Sequence, residues 1–317
     1  MKKMINEVKI SGYVYEHDLA VKTVQNENSE NFGKEFINGS LSVATDEAGL
    51  NIVTVHYTYV TEMTKANKTN ITYQNLKRII DSGKTWITDG KDAATKVRLS
   101  TAAALNDFYP QGQDEVVSQQ RCEGGFVTII NELQPDGSNE RNSFRLDMVI
   151  TSFQRVEGTD GEEDYGRLRG VLFNFRNDIL PYNMVIRNPA GVDYFEGQDI
   201  SKKNPLFINV RGSIVSKVVK ETKTTESAFG EPTVDIIERK QREWLVKTAG
   251  PNPYEWDTEE SITIAEFKEK IQDREVYLAN EKKRSADYYA SKGTTTQAAA
   301  PVINNISDDD DDDDFDF

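Results

Sequence analysis

The chain alternates apolar and polar residues with a period of two over most of its first 250 positions, which predicts strands. In Glu7–Tyr15, Val8, Ile10 and Val14 share one face, and Lys9, Tyr13 and Tyr15 share the other. Ile37, Leu41 and Val43 alternate with Phe36, Asn38, Ser40 and Ser42, and Asn51–Val60 is rich in Val, Thr and Tyr. Such residues suit a pleated surface. Asp46–Gly49 lies between these two runs as a hairpin loop. The period changes in Tyr73–Ser82, where Leu76, Ile79 and Ile80 at helical spacing predict a short helix ending at Gly83. Strand-like runs resume at Lys96–Leu99, Glu115–Leu133 and Phe144–Val156.

A polar break, Thr159–Asp164, is followed by a second round of the same plan. Arg167–Arg176 and Asn183–Arg187 form a hairpin pattern. A connecting segment, Ala190–Ser201, precedes a long arm of Leu206–Lys220 and Val234–Lys247. In the first half, the comparable arm pairs Glu115–Leu133 with Phe144–Val156 around Gln134–Asn142. The expected fold is mainly β, with two OB-fold-like β-barrels, residues 1–157 and 158–253. A helical segment follows at 254–290. Thr263 and Glu266 have capping-box spacing, and Ile264, Phe267 and Ile271 line one face. Residues 291–317 read as a flexible linker and an acidic tail.

Composition narrows the function. Charged residues make up 29% of the 317, and the net charge is −15. The last ten residues hold 8 of the 53 acids and no base, so the remaining 45 acids against 38 Lys and Arg leave −7 for the body. A mildly acidic body is compatible with a local basic groove, because local arrangement sets the field at a site. No run approaches the roughly 20 apolar residues that span a bilayer, and no apolar stretch follows the basic start, so neither a membrane nor a secretory route is expected. The single cysteine, Cys122, fits a cytoplasmic protein, or the host cytoplasm for a viral one.

Catalytic signatures are missing. Gly83-Lys84-Thr85 resembles the end of a phosphate loop, but Arg78 stands where its first glycine belongs. Two histidines and one cysteine cannot make a four-ligand zinc site. No enzyme activity, metal or cofactor is expected.

The informative chemistry is on the polar faces of the strands. Lys9, Tyr13 and Tyr15, then Lys34 and Phe36, then Arg167, Arg169, Phe173 and Phe175, and finally Phe207 and Arg211 mix cations with aromatic rings at strand spacing. Cations neutralise phosphates while rings stack on unpaired bases, which is how single-stranded nucleic acid is held without reading sequence. The bland alternative is ordinary strand packing. The tail is Asp308, Asp309, Asp310, Asp311, Asp312, Asp313, Asp314, Phe315, Asp316 and Phe317. It joins a polyanion to an aromatic end, a combination suited to a basic-rimmed apolar pocket on a partner.

With these features in view, the chain resembles bacterial and bacteriophage single-stranded DNA-binding proteins. Met4-Ile5-Asn6-Glu7-Val8-Lys9-Ile10-Ser11-Gly12-Tyr13 is similar to that family's first strand. Ile208-Asn209-Val210-Arg211-Gly212-Ser213-Ile214 is similar to the strand opening its long arm, and Asp308–Phe317 to its acidic tip. Asp316 stands where the family tip has proline, which favours dedicated viral partners. The resemblance implies OB folds that coat single strands in replication and recombination, with the tail recruiting partner proteins. A viral assembly protein with a docking tail is the other class, and a carboxylate nuclease a third.

Overall fold

The computed structural model describes residues 3–158, 163–225, 233–258 and 261–292. Residues 293–317 of the expected linker and acidic tail, 159–162 of the polar break and 226–232 of the arm tip lie outside them. No helix among the described residues is long and apolar enough to cross a membrane.

The first barrel is built from β1 (Asn6–His17), a short β2 (Ala20–Thr23), β3 (Glu35–Ala44), β4 (Ile52–Thr61), α1 (Ile71–Ser82), the one-turn α2 (Trp86–Asp89), β5 (Lys96–Phe108) and β6 (Val117–Ile130). Strands β1, β3 and β4 form an antiparallel meander, and α1 leads to the β5–β6 hairpin. Strand β5 returns to pair with β1, and β6 closes the barrel parallel to β4. That is the five-stranded Greek key of the OB fold.

The second barrel repeats every step. It comprises β7 (Asn142–Val156), β8 (Tyr165–Phe173), β9 (Ile179–Ile186), α3 (Pro189–Glu196), β10 (Leu206–Thr225) and β11 (Thr233–Ala249). Strands β7, β8 and β9 form the meander, β10 pairs with β7 and β11, and β11 closes parallel to β9. In both meanders a glycine faces a buried tyrosine across the ladder: Gly39 opposite Tyr57, and Gly170 opposite Tyr182. The glycines let the strands close tightly. A Cβ on Gly170 would lie 2.2 Å from the Val149 carbonyl oxygen, and one on Gly39 2.7 Å from that of Asp18.

Two expectations are corrected by this pairing. Val117–Ile130 does not pair with Phe144–Val156 but with β5, upstream of it. Strand β5 runs well past Leu99, but its continuation is mostly Ala, Thr and Asn, and these small or polar residues mute the alternation. Strand β7 therefore opens the second barrel, and the change of barrel falls in 131–141 rather than after 157.

The halves join in one sheet through β1 and β7, which pair antiparallel with Val8 opposite Phe144. Asn6 lies opposite Leu146 and Ile10 opposite Asn142, so the register is symmetric about the Val8–Phe144 pair. Side chains obey the same dyad. Asn6 clasps β5, its Oδ1 accepting from Ala103 N at 2.8 Å and its Nδ2 donating to Ala103 O at 2.9 Å. Asn142 does the same to β10, at Ile214 N (3.0 Å) and Ile214 O (2.6 Å). The arms also cross reciprocally. The Tyr182 hydroxyl of the second barrel reaches Ala104 O (3.1 Å) on the first arm. Asn51 of the first barrel binds Ile214 O and Ser216 N on the second arm.

The main core fills both barrels with the inward-facing residues, among them Val8, Ile10, Leu41, Leu99, Leu146, Ile208 and Val210. A smaller cluster forms on the outside of the second barrel, where Ile262 and Phe267 cover Val149, Val171, Phe173 and Phe207. Helix α4 (Ile264–Lys292) starts there. Its capping box is in place: Thr263 Oγ1 accepts from Glu266 N at 3.1 Å, and Glu266 Oε2 accepts from Thr263 N at 2.9 Å. The helix then runs to the tip of the first barrel's arm. Arg274 holds Asp107 with two bonds of 2.9 and 3.1 Å, and Lys282 pairs with Asp114 at 2.8 Å.

Candidate nucleic-acid interface

Ligands of OB folds lie on the second and third strands of the barrel and on the loops beside them. In the first barrel those strands are β3 and β4. Phe36 on β3 stands opposite Lys22 on β2 and Thr61 on β4. Tyr59, two residues before Thr61, shares that face, and its ring centroid is 4.7 Å from that of Phe36. Tyr59 is 47% exposed and Phe36 half-buried, so the pair presents ring surface to solvent. Lys22 Nζ donates to Asn38 Oδ1 (3.0 Å) and Lys34 Nζ to Asn31 Oδ1 (3.1 Å). Both partners are neutral amides, which orient the ammonium groups without cancelling their charge. Phe32 is exposed in the loop that carries Lys34.

In the second barrel the equivalent strands are β8 and β9. Two guanidinium groups lie over the Tyr165 ring: Arg167 is 5.6 Å and Arg187 5.1 Å from its centroid. Arg167 Nη2 also donates to the Tyr165 hydroxyl at 3.0 Å. Arg187 grips Glu243 of β11 with bonds of 2.6 and 3.2 Å, which fixes its plane against the ring. Arg169 is exposed on the same face.

The residues singled out in the sequence therefore separate into groups. Lys34 and Phe36 meet in the first barrel, and Arg167 and Arg169 in the second. Lys9 and Arg211 lie on a third surface, the outer face of the sheet joining the barrels. Phe175 is exposed in the β8–β9 turn with Arg176 5.0 Å from its ring. Phe173 and Phe207 are corrected outright. Both point away from the barrel interior, as their parity indicated, but the segment around Trp256, Ile262 and Phe267 covers them and leaves no face for a base.

Tyr13 is corrected too. It is buried under Trp86, whose ring meets it edge-on at 5.5 Å, while Tyr15 remains half-buried beside the same indole. Around Tyr13, the Glu47 carboxylate accepts from the Tyr13 hydroxyl (3.0 Å), Arg141 Nη1 (2.5 Å) and Lys91 (2.7 Å). The Arg141 and Lys91 bonds hold the Glu47 carboxyl down at about 2. Burial, then Glu47, pushes the Tyr13 hydroxyl up. This cluster ties the inter-barrel link to the first barrel. The tail, Asp308–Phe317, lies outside the described residues.

Sequence reasoning missed Lys22, Tyr59, Tyr165 and Arg187. Tyr59 lay within a recognised strand, but its partnership with Phe36 depends on the β3–β4 register, which a β-bulge between Ile37 and Gly39 shifts. Among the described residues no group of His, Cys, Asp or Glu is placed to hold a metal ion. Burial holds both His17 and His56 below the usual imidazole range.

The sequence profile of the YorF family matches residues 4–284, from the lead into β1 through most of α4. The chain belongs to the YorF family. The family match thus spans both barrels and the helix that straps them. No curated protein sequence matches the chain. Two crystal structures of the single-stranded DNA binding protein from Thermus aquaticus are similar to it in shape. A deletion mutant has 11% identity and a TM-score of 0.49, over 82% of this chain and 100% of that one. The wild-type protein has 11% identity and a TM-score of 0.46, over 78% and 93%.

Proposed function

We propose that this protein binds single-stranded DNA without strong sequence preference, coating it during phage-type replication and recombination. The observation that carries the reading is the β3–β4 face. There an exposed ring, Tyr59, packs on the half-buried Phe36 beside two lysines that bond neutral amides, on the strands where OB folds take their ligands. Phosphates would sit against Lys22 and Lys34, and a base would stack on Tyr59. The second barrel offers Arg169 and the Tyr165–Arg167 pair for the continuing strand. The acidic tail is assigned the recruitment of replication and recombination proteins, and competition with DNA for the basic surfaces.

Titration with oligothymidine at two salt concentrations tests this. Binding should weaken as salt rises, with a log–log slope of about −0.7 for each phosphate contacted. Deleting Asp308–Phe317 should leave DNA affinity unchanged or raise it, while removing the capture of partner proteins. Absence of oligothymidine binding at both salts would favour the assembly reading, and loss of DNA affinity on tail deletion would refute the role given to the tail.

A further inference from the structure

The outer face of the sheet that joins the two barrels carries cations that the fold does not use. Neighbouring strands run in the order β6, β5, β1, β7, β10 and β11. Arg98 on β5 stands opposite Ser11 and Thr128. Lys9 on β1 stands opposite Ser100 and Ser143, and Ser100 also stands opposite Phe126 on β6. Arg145 on β7 stands opposite Glu7 and Arg211, and Arg211 opposite Thr248. Opposed residues of antiparallel strands project to the same side, so all of these share one surface. Lys9, Arg98, Arg145 and Arg211 are all exposed, and Phe126 is 73% exposed.

Their charge is not cancelled. None of the four cations makes an ion pair among the described residues, and Arg211 Nε donates to the neutral Asn209 Oδ1 at 3.3 Å. Glu7 lies in the same rows and forms no ion pair there either. Asp147, one position further along, is committed to Ile5 N, Asn209 Nδ2 and the Tyr254 hydroxyl, all at 2.8–2.9 Å. Arg145 and Arg211 directly face each other, a like-charge opposition that weakens a sheet. Within the isolated fold the Arg145–Arg211 opposition is a cost, set against the Glu7–Arg145 opposition across β1 and β7. It becomes favourable when an external polyanion lies across the rows.

We propose that this face is a second nucleic-acid track, which takes the sugar–phosphate backbone of a long single strand after that strand has engaged β3–β4. In the first barrel β5 pairs with β1 and β6 and not with β3 or β4, and Lys9 sits on the half of β1 that pairs with β5 and β7 rather than with β3, so a strand using both faces would pass around the barrel. Phosphates would lie along Arg98, Lys9, Arg145 and Arg211, with Phe126 offering one ring at the edge. The inference rests on the proposed DNA binding and extends it to a surface that short oligonucleotides do not reach.

The test is the double substitution Arg145→Ser with Arg211→Ser in the full chain, titrated with oligothymidines of about 10 and about 60 nucleotides, since one OB fold covers roughly 4–16. The short oligomer should bind within twofold of wild type. The long one should bind about tenfold more weakly at low salt, with its salt slope reduced by about 1.4 for two lost phosphate contacts. Thermal stability should stay close to wild type, because the like-charge Arg145–Arg211 opposition and the Glu7–Arg145 attraction are lost together, so a loss of affinity cannot be blamed on unfolding. An unchanged affinity and slope for the long oligomer overturns the proposal. So does an effect that vanishes when Asp308–Phe317 is deleted, which would make the tail the occupant. Failure of the wild-type chain to bind even the short oligomer would instead refute the DNA-binding reading from which this one starts.

Discussion

The two barrels share each step of their strand pairing and differ in what those strands present. The first mounts two neighbouring rings, Phe36 and Tyr59, with lysines anchored only to amides. The second mounts a single ring, Tyr165, with Arg167 and Arg187 over it, and Arg187 is already paired with Glu243. Topology is fixed by the buried alternate positions, such as Val8 with Phe144 and the Gly–Tyr pairs of each meander. Those positions leave the outward ones free to diverge. One barrel thus has an open stacking face, and the other a braced, cation-rich one.

If the halves are held by equivalent devices, the equivalent residues should matter in proportion to the bonds they make. Asn6 satisfies Ala103 N and O and also donates to Phe173 O of the second barrel at 3.0 Å, whereas the bonds of Asn142 reach only Ile214. Replacing Asn6 with Ala leaves three backbone groups without a partner and should cost about 2–3 kcal/mol, against about 1–2 for Asn142→Ala. Urea denaturation of both variants measures the difference. Equal losses would show that the Phe173 bond contributes nothing to the joining of the barrels.

The duplicated plan was legible in the sequence because inward residues such as Ile37, Leu41, Val43, Ile208 and Val210 keep a strict period of two. The α4 start was legible because Thr263 and Glu266 carry their own local signal. Other features depended on contacts distant in sequence. Phe173 and Phe207 have surface parity, and only the arrival of residues around 254–271 buries them. The outer half of β5 is masked by its alanines, which hides from the sequence that β5 is the partner of β6. Lys34 and Phe36, half of the proposed ligand face, carry a strand-spaced signal of their own. The other half, Lys22 and Tyr59, required a register that the sequence does not state.

The contrast between open and braced rings makes a binding prediction. Stacking of a base on an aromatic side chain is worth about 1–3 kcal/mol. Tyr59→Ala removes an open ring and should weaken oligothymidine binding by about 1–2 kcal/mol. Tyr165→Ala removes a ring already occupied by guanidinium groups and should cost less, with the remaining effect falling on the salt slope as Arg167 loses the hydroxyl that orients it, while Arg187 stays held by Glu243. Fluorescence titration of the two variants side by side decides it. A larger loss at Tyr165 would reverse the roles of the barrels.

The smallest effect concerns the cluster that only the first barrel possesses. By the dyad that relates Asn6 to Asn142, the position of Arg141 corresponds to Ile5, so among the described residues the second barrel has no counterpart to the Arg141–Glu47–Lys91 network. Glu47 titrates at about 2 in the folded chain, against its ordinary 4.5, mainly through the hydrogen bond from Arg141. A depressed carboxylate contributes stability above its unfolded pKa and loses it as the pH falls through its folded one. The contribution should therefore be complete above about pH 5 and disappear between pH 4.5 and about 2. The Glu47 side chain is 40% exposed, so solvent screening keeps the effect modest. Glu47→Gln should be less stable than wild type at pH 7, and the gap should close on acidification across that window, as followed by urea denaturation at stepped pH. A gap that stays constant down to pH 2 would mean that the Glu47 charge does nothing to fix Arg141, and that the inter-barrel link is held by packing on Tyr13 alone.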